Sequence, residues 1–310
     1  MKVEWKGVYP AVTTKFNSND ELDLESYDKN IAALLDAGVD GLVLGGSLGE
    51  ASVLSDEEKF MLLKHTIKLV KGQIPIILNI AEQSTKAAIQ IAEKAEEIGA
   101  DGLMVLPPMR YKADDRETVV YLTDIARSTT LPIMIYNNPV DYKINVTLDM
   151  FAELAAFDNI QAVKESTRDI TNITRMINRF GSRFRIMCGV DPLAMESLVM
   201  GADGWVAGLV DAFPKETVAV FRLVKAGRYE EALAIYRWFL PVLELDIHPK
   251  LVQYIKLAEL KTGIGTEAVR KPRLSIEGDE RAQVLKIIDD AIAIRPELPT
   301  ESWGSPALNS

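Results

Sequence analysis

Along the first 226 residues, short runs of apolar and often β-branched positions alternate with longer segments in which apolar residues recur every three or four positions. Eight runs read as strands, at 8–13, 42–44, 74–79, 103–106, 133–136, 160–164, 185–188 and 205–207, each followed by a segment of helical period. In the first such segment Leu24, Tyr27, Ile31 and Leu34 form one stripe facing a core. Ser55-Asp56-Glu57-Glu58 opens the second as a capping box. Strands apolar on both faces and separated by helices imply a parallel sheet covered on both sides. Eight such units favour a closed barrel over an open sheet, so the predicted class is α/β and the predicted fold a (β/α)8 TIM barrel.

Three copies of one signal punctuate the pattern. Ala37-Gly38-Val39-Asp40-Gly41-Leu42, Gly99-Ala100-Asp101-Gly102-Leu103 and Gly201-Ala202-Asp203-Gly204-Trp205 each place a glycine at a helix end and an Asp-Gly turn before a strand. Ile74-Pro75-Ile76-Ile77 and Leu131-Pro132-Ile133-Met134 echo each other as strand entries, where a proline's missing N–H does least harm. Beyond residue 226 the strands stop. Segments 229–240, 250–260 and 278–294 read as helices, separated by Pro241, Pro249 and Lys271-Pro272-Arg273. The predicted organisation is a barrel over 1–226, a C-terminal helical extension of the same domain over 227–295, and a poorly ordered tail over 296–310.

Composition narrows the class of protein. With 310 residues, 48% of them hydrophobic, the chain can bury a large core. Its 45 acidic against 35 basic residues give a net charge of -10, which argues against nucleic acid or an anionic membrane as partner. A single cysteine, Cys188, excludes an intrachain disulfide and fits a reducing compartment. The charged start Met1-Lys2-Val3-Glu4-Trp5-Lys6 lacks a signal peptide's apolar run, and no apolar segment approaches the roughly 18 residues of a membrane span. A cytoplasmic protein is expected.

The chemistry centres on one lysine. Lys164 is the only charge in Ile160-Gln161-Ala162-Val163-Lys164, at the strand end where barrels place their active sites. Burial disfavours an ammonium and leaves a neutral amine able to attack a carbonyl, although a lysine in that place can also snorkel to solvent. Tyr136 ends the preceding strand and carries a hydroxyl that can donate or accept a proton, or simply fills the barrel. Gly45-Gly46-Ser47-Leu48-Gly49-Glu50 has the glycines of a backbone nest for an anion. Carboxylate suits it better than phosphate, because Asp191 and Asp211 occupy the loops where a barrel phosphate site lies. No metal is expected: His65 falls within a helix, His248 precedes a proline, and no cluster of ligands gathers at strand ends. Carbonyl activation then falls to a covalent imine on Lys164, with no separate cofactor.

Gly7-Val8-Tyr9-Pro10-Ala11-Val12-Thr13, Gly46-Ser47-Leu48-Gly49-Glu50, Tyr136-Asn137-Asn138-Pro139 and Val163-Lys164-Glu165-Ser166, in this order and spacing, resemble the dihydrodipicolinate synthase / N-acetylneuraminate lyase family over roughly residues 5 to 275. The resemblance implies a homo-oligomer, dimer or tetramer, in which Lys164 forms a Schiff base with a 2-oxo acid, Tyr136 relays protons and the Ser47–Leu48 loop holds the carboxylate. The expected site is catalytic Lys164 and Tyr136 with substrate-binding Gly46, Ser47, Leu48, Gly189 and Val206. Three departures argue against dihydrodipicolinate synthase activity. Leu48 stands at a second hydroxyl position, Met109 at the tyrosine lent across the dimer interface, and Asp141 at the arginine that meets aspartate semialdehyde. Pro107-Pro108-Met109, Asn137 to Lys143 and Ala234 to Phe239 look more like the 1-pyrroline-4-hydroxy-2-carboxylate deaminases of hydroxyproline catabolism. The expected substrate is therefore a small 2-oxo or cyclic imino acid, deaminated to 2,5-dioxopentanoate and ammonia. A pyruvate-dependent aldolase, a 3-deoxy-2-oxo acid dehydratase and, more distantly, a non-catalytic 2-oxo acid binder are the alternatives.

Overall fold

The computed structural model describes residues 1–108 and 111–299. Eight strands follow one another with helices between: β1 (Gly7–Pro10), β2 (Leu42–Leu44), β3 (Ile76–Ile80), β4 (Gly102–Val105), β5 (Ile133–Asn137), β6 (Ile160–Glu165), β7 (Arg185–Cys188) and β8 (Gly204–Ala207). All ladders are parallel, and β1 closes onto β8. The seam between β1 and β2 is joined by an Ala11–Val43 bridge, where the Val12 N–H donates to the Val43 carbonyl at 2.9 Å. This is the (β/α)8 TIM barrel expected from the pattern, with C-terminal helices added to it.

Local chemistry explains the elements. Ile77, Leu103, Ile135 and Val163 are fully buried, because the barrel interior takes one strand face and the outer helices cover the other. The helix Leu24–Asp36 buries Tyr27, Ile31 and Leu34 of its predicted stripe, and Ser55 forms the capping box of the helix Asp56–Val70. Gly38, Gly99 and Gly201 adopt φ values of +79°, +103° and +110°, which side-chain-bearing residues avoid. The aspartates that follow do more than turn the chain. Asp40, Asp101 and Asp203 donate their backbone N–H to the carbonyls of Val8, Ile76 and Ile186 on the neighbouring strands. Their carboxylates accept from the N–H of those same residues at 2.8, 3.0 and 2.9 Å. The repeated signal is thus a two-way clamp between strand entries, made three times at the end of the barrel opposite the site.

After β8 come the helices Pro214–Lys225, Tyr229–Leu243, Leu251–Thr262 and Gly278–Ala293. Pro241, read from the sequence as a separator, instead lies inside the last turn of its helix. Both Pro241 and Arg237, whose carbonyl loses its donor, are exposed, so water can replace the missing bond. A 3-10 turn, Glu244–Ile247, then leads the chain back over the C-terminal mouth of the barrel. Among the described residues, no helix is long and apolar enough to cross a membrane. The expected poorly ordered tail falls, from residue 300 onward, outside the described residues.

Candidate active site

The β5–β6 register sets Tyr136 beside Lys164, so both side chains emerge together at the strand ends. The Lys164 amine lies 4.1 Å from the centroid of the Tyr136 ring, and both residues are buried. Burial pushes the Lys164 pKa down, and the negative charges of Asp246 and Asp191 pull it only part of the way back. The snorkelling alternative therefore does not describe this lysine: its amine ends against a ring face inside the barrel mouth. Burial also holds the Tyr136 phenol well above its ordinary pKa, so it stays protonated at neutral pH. Its oxygen accepts from Asn138 Nδ2 at 3.1 Å.

Gly189 makes this arrangement possible. A methyl group there would sit 2.6 Å from Lys164 Cγ and 2.7 Å from Cε, and would collide with Ser166 Oγ. Gly189→Ala is expected to push the lysine stem aside by about 1 Å and slow any reaction at its amine by roughly 10²-fold. An unchanged rate, with circular dichroism showing an intact fold, would contradict the reading of Gly189 as clearance for the lysine.

The glycine-rich loop forms the opposite wall. Gly45 takes φ +63°, and a methyl on Gly49 would approach the Val12 carbonyl to 2.8 Å. Thr14 Oγ1 donates to the Gly49 carbonyl at 2.7 Å and Asn79 Nδ2 to the Gly45 carbonyl at 2.9 Å. These bonds hold the backbone in a shape whose Ser47 and Leu48 N–H groups find no backbone acceptor among the described residues. That is the arrangement of an anion nest. Its last residue, Glu50, is fully buried and paired with Lys256 of the helix Leu251–Thr262.

The structure brings all seven sequence-predicted residues, Lys164, Tyr136, Gly46, Ser47, Leu48, Gly189 and Val206, onto one cavity of about 340 Å³. The same cavity is lined by residues the sequence reading left out or placed elsewhere: Tyr142, Arg168, Asp246, His248 and Arg273. Asp246 comes from the 3-10 turn of the C-terminal extension and occupies the space left by Gly208, where a methyl would lie 2.6 Å from Oδ1. Burial, and then the nearby Asp191, raise its pKa to about 8. Asp191 does not face a ligand as expected. It is buried and accepts from Trp205 Nε1 and the N–H groups of Gly208 and Leu209. Arg168, on a left-handed backbone at φ +63°, follows β6, and Arg273 reaches in from the segment after the helix Leu251–Thr262.

Two of the departures change meaning in this setting. Asp141 lines the cavity, as a missing arginine would require, but Arg168 and Arg273 line it too, so the mouth is not inverted to a wholly acidic site. Leu48 does remove a hydroxyl, yet the Tyr142 hydroxyl hydrogen-bonds to Ser47 Oγ and supplies one from another loop. Met109 lies outside the described residues.

Comparison with known proteins extends these findings. The dihydrodipicolinate synthetase family matches residues 4–291. The chain is 29% identical over 291 residues to 4-hydroxy-tetrahydrodipicolinate synthase 1 of Halalkalibacterium halodurans, covering 94% of this chain and 96% of that one. Among solved structures, dihydrodipicolinate synthase from Bacillus anthracis superposes with a TM-score of 0.88 at 27% identity, over 93% of this chain and 98% of that one. A prophage protein of the dihydrodipicolinic acid synthase family from E. coli K12, solved in complex with pyruvate, gives 0.88 at 25% identity, over 94% and 99%. These relatives overturn the functional expectation drawn from the sequence. That expectation was a hydroxyproline-branch deaminase with synthase activity set aside, whereas proteins similar over nearly their whole length carry synthase names. The physical reason is on the cavity wall: the positive charge lost at Asp141 and the hydroxyl lost at Leu48 return from Arg168, Arg273 and Tyr142.

Proposed function

The chain belongs to the dihydrodipicolinate synthetase family, and from that premise we propose that it condenses pyruvate with an aldehyde through an imine on Lys164, as a 4-hydroxy-tetrahydrodipicolinate synthase. Enzymes of this family form a covalent lysine Schiff base with pyruvate and use no separate cofactor. The observation that carries the reading is the buried Lys164 amine, set against the Tyr136 ring and beside the Ser47–Leu48 nest. A pyruvate carboxylate held by those N–H groups presents its C2 carbonyl to the amine. Nitrogen attack forms the C–N bond, and the carbonyl oxygen leaves as water. Loss of a C3 proton then gives an enamine whose C3 attacks the aldehyde carbon. The new C–C bond forms, the π pair moves to the aldehyde oxygen, which takes a proton, and the acceptor's amine or water displaces Lys164 at C2 to free the product. Tyr136, protonated at neutral pH, is placed to give the aldehyde oxygen its proton as the C–C bond forms. Binding of pyruvate by the structurally similar prophage protein supports the first substrate.

The cavity mouth supports the second. Arg168 and Arg273 suit a carboxylate, while Asp141 suits an ammonium. Aspartate semialdehyde carries both groups beside its aldehyde. The test is an assay of pyruvate and aspartate semialdehyde together, coupled to a reductase. Product formation that requires both substrates is expected. If pyruvate forms its lysine adduct but the semialdehyde is not consumed, the acceptor assignment is wrong.

The pH dependence follows from the charges around the lysine. Because the neutral amine attacks, imine formation rises with pH as the ammonium loses its proton, and burial brings that limb below the ordinary lysine range. Asp246 favours the ammonium, and the two groups titrate as a pair. Asp246→Asn is therefore expected to move the acidic limb of the rate profile to lower pH. A limb that stays put or moves upward would show that Asp246 does not act on the lysine.

A further inference from the structure

A second tyrosine hydroxyl reaches the reacting centre from within the same chain. The sequence after β5 builds it into place step by step. Asn138 caps a single helical turn, Pro139–Tyr142, by accepting from the Asp141 N–H at 3.1 Å, and Pro139 sits where its missing N–H is not needed. Lys143, at φ +67°, ends the turn in the left-handed region. Asn137 then fastens the whole loop: its Oδ1 accepts from the Val146 N–H at 2.9 Å, and its Nδ2 donates to the Val146 carbonyl at 3.1 Å. One turn of helix brings Tyr142 back over the strand end. Its ring meets that of Tyr136 edge-on, with centroids 5.9 Å apart at 78°. Its hydroxyl hydrogen-bonds to Ser47 Oγ in the anion nest on the opposite wall. Nothing in the packing demands a hydroxyl there, since phenylalanine would make the same ring contact. Burial raises the Tyr142 pKa, so the phenol is a donor at neutral pH.

We propose that the Tyr142 hydroxyl, paired with Ser47, carries the protons exchanged at the 2-oxo group while the imine and enamine form. This rests on the Schiff-base reading of Lys164. The proton inventory closes on that hydroxyl. As the lysine lone pair makes the C–N bond, the carbonyl π pair moves to oxygen, which takes the Tyr142 proton. The nitrogen, now positively charged, returns one proton through Ser47 to the phenolate. The carbinol oxygen takes that proton and leaves as water with the C–O pair, while the nitrogen lone pair forms C=N. The phenolate finally accepts the C3 proton as the enamine forms, which restores the neutral phenol. Amine and pyruvate become enamine and one water, with no outside acid or base.

The test is rapid-quench trapping of the pyruvate imine with borohydride. Tyr142→Phe keeps the ring and removes the oxygen. At saturating pyruvate it is expected to slow adduct formation by about 10²-fold or more, with the final labelled fraction unchanged and half-saturation by pyruvate close to wild type. An unchanged rate would overturn the proposal. So would a loss that higher pyruvate restores, because Tyr142 would then bind or brace rather than move protons. A variant that retains the whole side chain guards against misfolding: 3-fluorotyrosine incorporated at position 142 lowers the phenol pKa with little change of shape. The alkaline limb of the imine-formation profile should move to lower pH, and a limb that does not move also counts against the relay. Failure of the wild-type protein to form any adduct would instead remove the Schiff-base reading itself.

Discussion

Replacing Lys164 with alanine or arginine is expected to reduce condensation by roughly 10⁴-fold or more, because the step that makes pyruvate a carbon nucleophile is removed outright. The arginine variant is the sharper of the two. It keeps a long cationic side chain in the barrel mouth but presents a guanidinium that does not lose its proton near neutral pH. Lys164 is buried against Tyr136, and Gly189 is kept bare so that its stem can pass. Pyruvate can still dock in the Ser47–Leu48 nest of either variant, so weak pyruvate binding without turnover is the expected signature. Isothermal titration beside the coupled assay measures both. Substantial residual turnover in Lys164→Arg would mean that the carbonyl is activated by charge and not by an imine.

Glu50→Ala is expected to destabilise the folded chain by about 3–5 kcal/mol, the usual cost of leaving one member of a buried ion pair behind. Glu50 and Lys256 are both fully buried and bonded to each other. Glu50 also accepts from the Arg270 N–H at 3.1 Å. A second buried pair, Lys15–Glu259 at 2.6 Å, ties the segment after β1 to the same helix. Through these contacts the left-handed end of the nest is tied to the helix Leu251–Thr262, which follows directly on the turn carrying Asp246. Urea unfolding should show a lower midpoint for Glu50→Ala with little change in slope. The double change Glu50→Leu with Lys256→Met should lose less than the single one, because no charge is stranded. Equal losses in the two would show that packing, rather than the unpaired charge, sets the cost.

The fold was legible because a barrel strand is apolar on both faces and stops at recognisable turns. Strand ends moved by one to three residues where backbone pairing, rather than side-chain character, decides the last residue: 8–13 became Gly7–Pro10 and 74–79 became Ile76–Ile80. Lys164 and Tyr136 were legible for the same reason, since a charge or a phenol ending an apolar run points to the mouth of the barrel. Asp246, His248 and Arg273 were not. They belong to helical and irregular segments after the barrel, and only tertiary packing brings those over the mouth. Tyr142 and Arg168 had a usable signal. The Asn138-Pro139 cap predicts a turn of helix that returns residue 142 toward the strand, and Arg168 is only four residues beyond the lysine. One part of the functional error had a physical source. A charge was judged missing because one aligned position had changed, although a cavity takes its charge from every element that reaches it.

The central claim is the carbon–nitrogen bond between pyruvate and Lys164. Incubating the intact protein with pyruvate, reducing with borohydride and mapping the product by mass spectrometry tests it directly. One reduced pyruvate adduct per chain, on the peptide containing Lys164 and absent from Lys164→Ala, is the predicted result. No adduct, or one that persists on another lysine in Lys164→Ala, would contradict it.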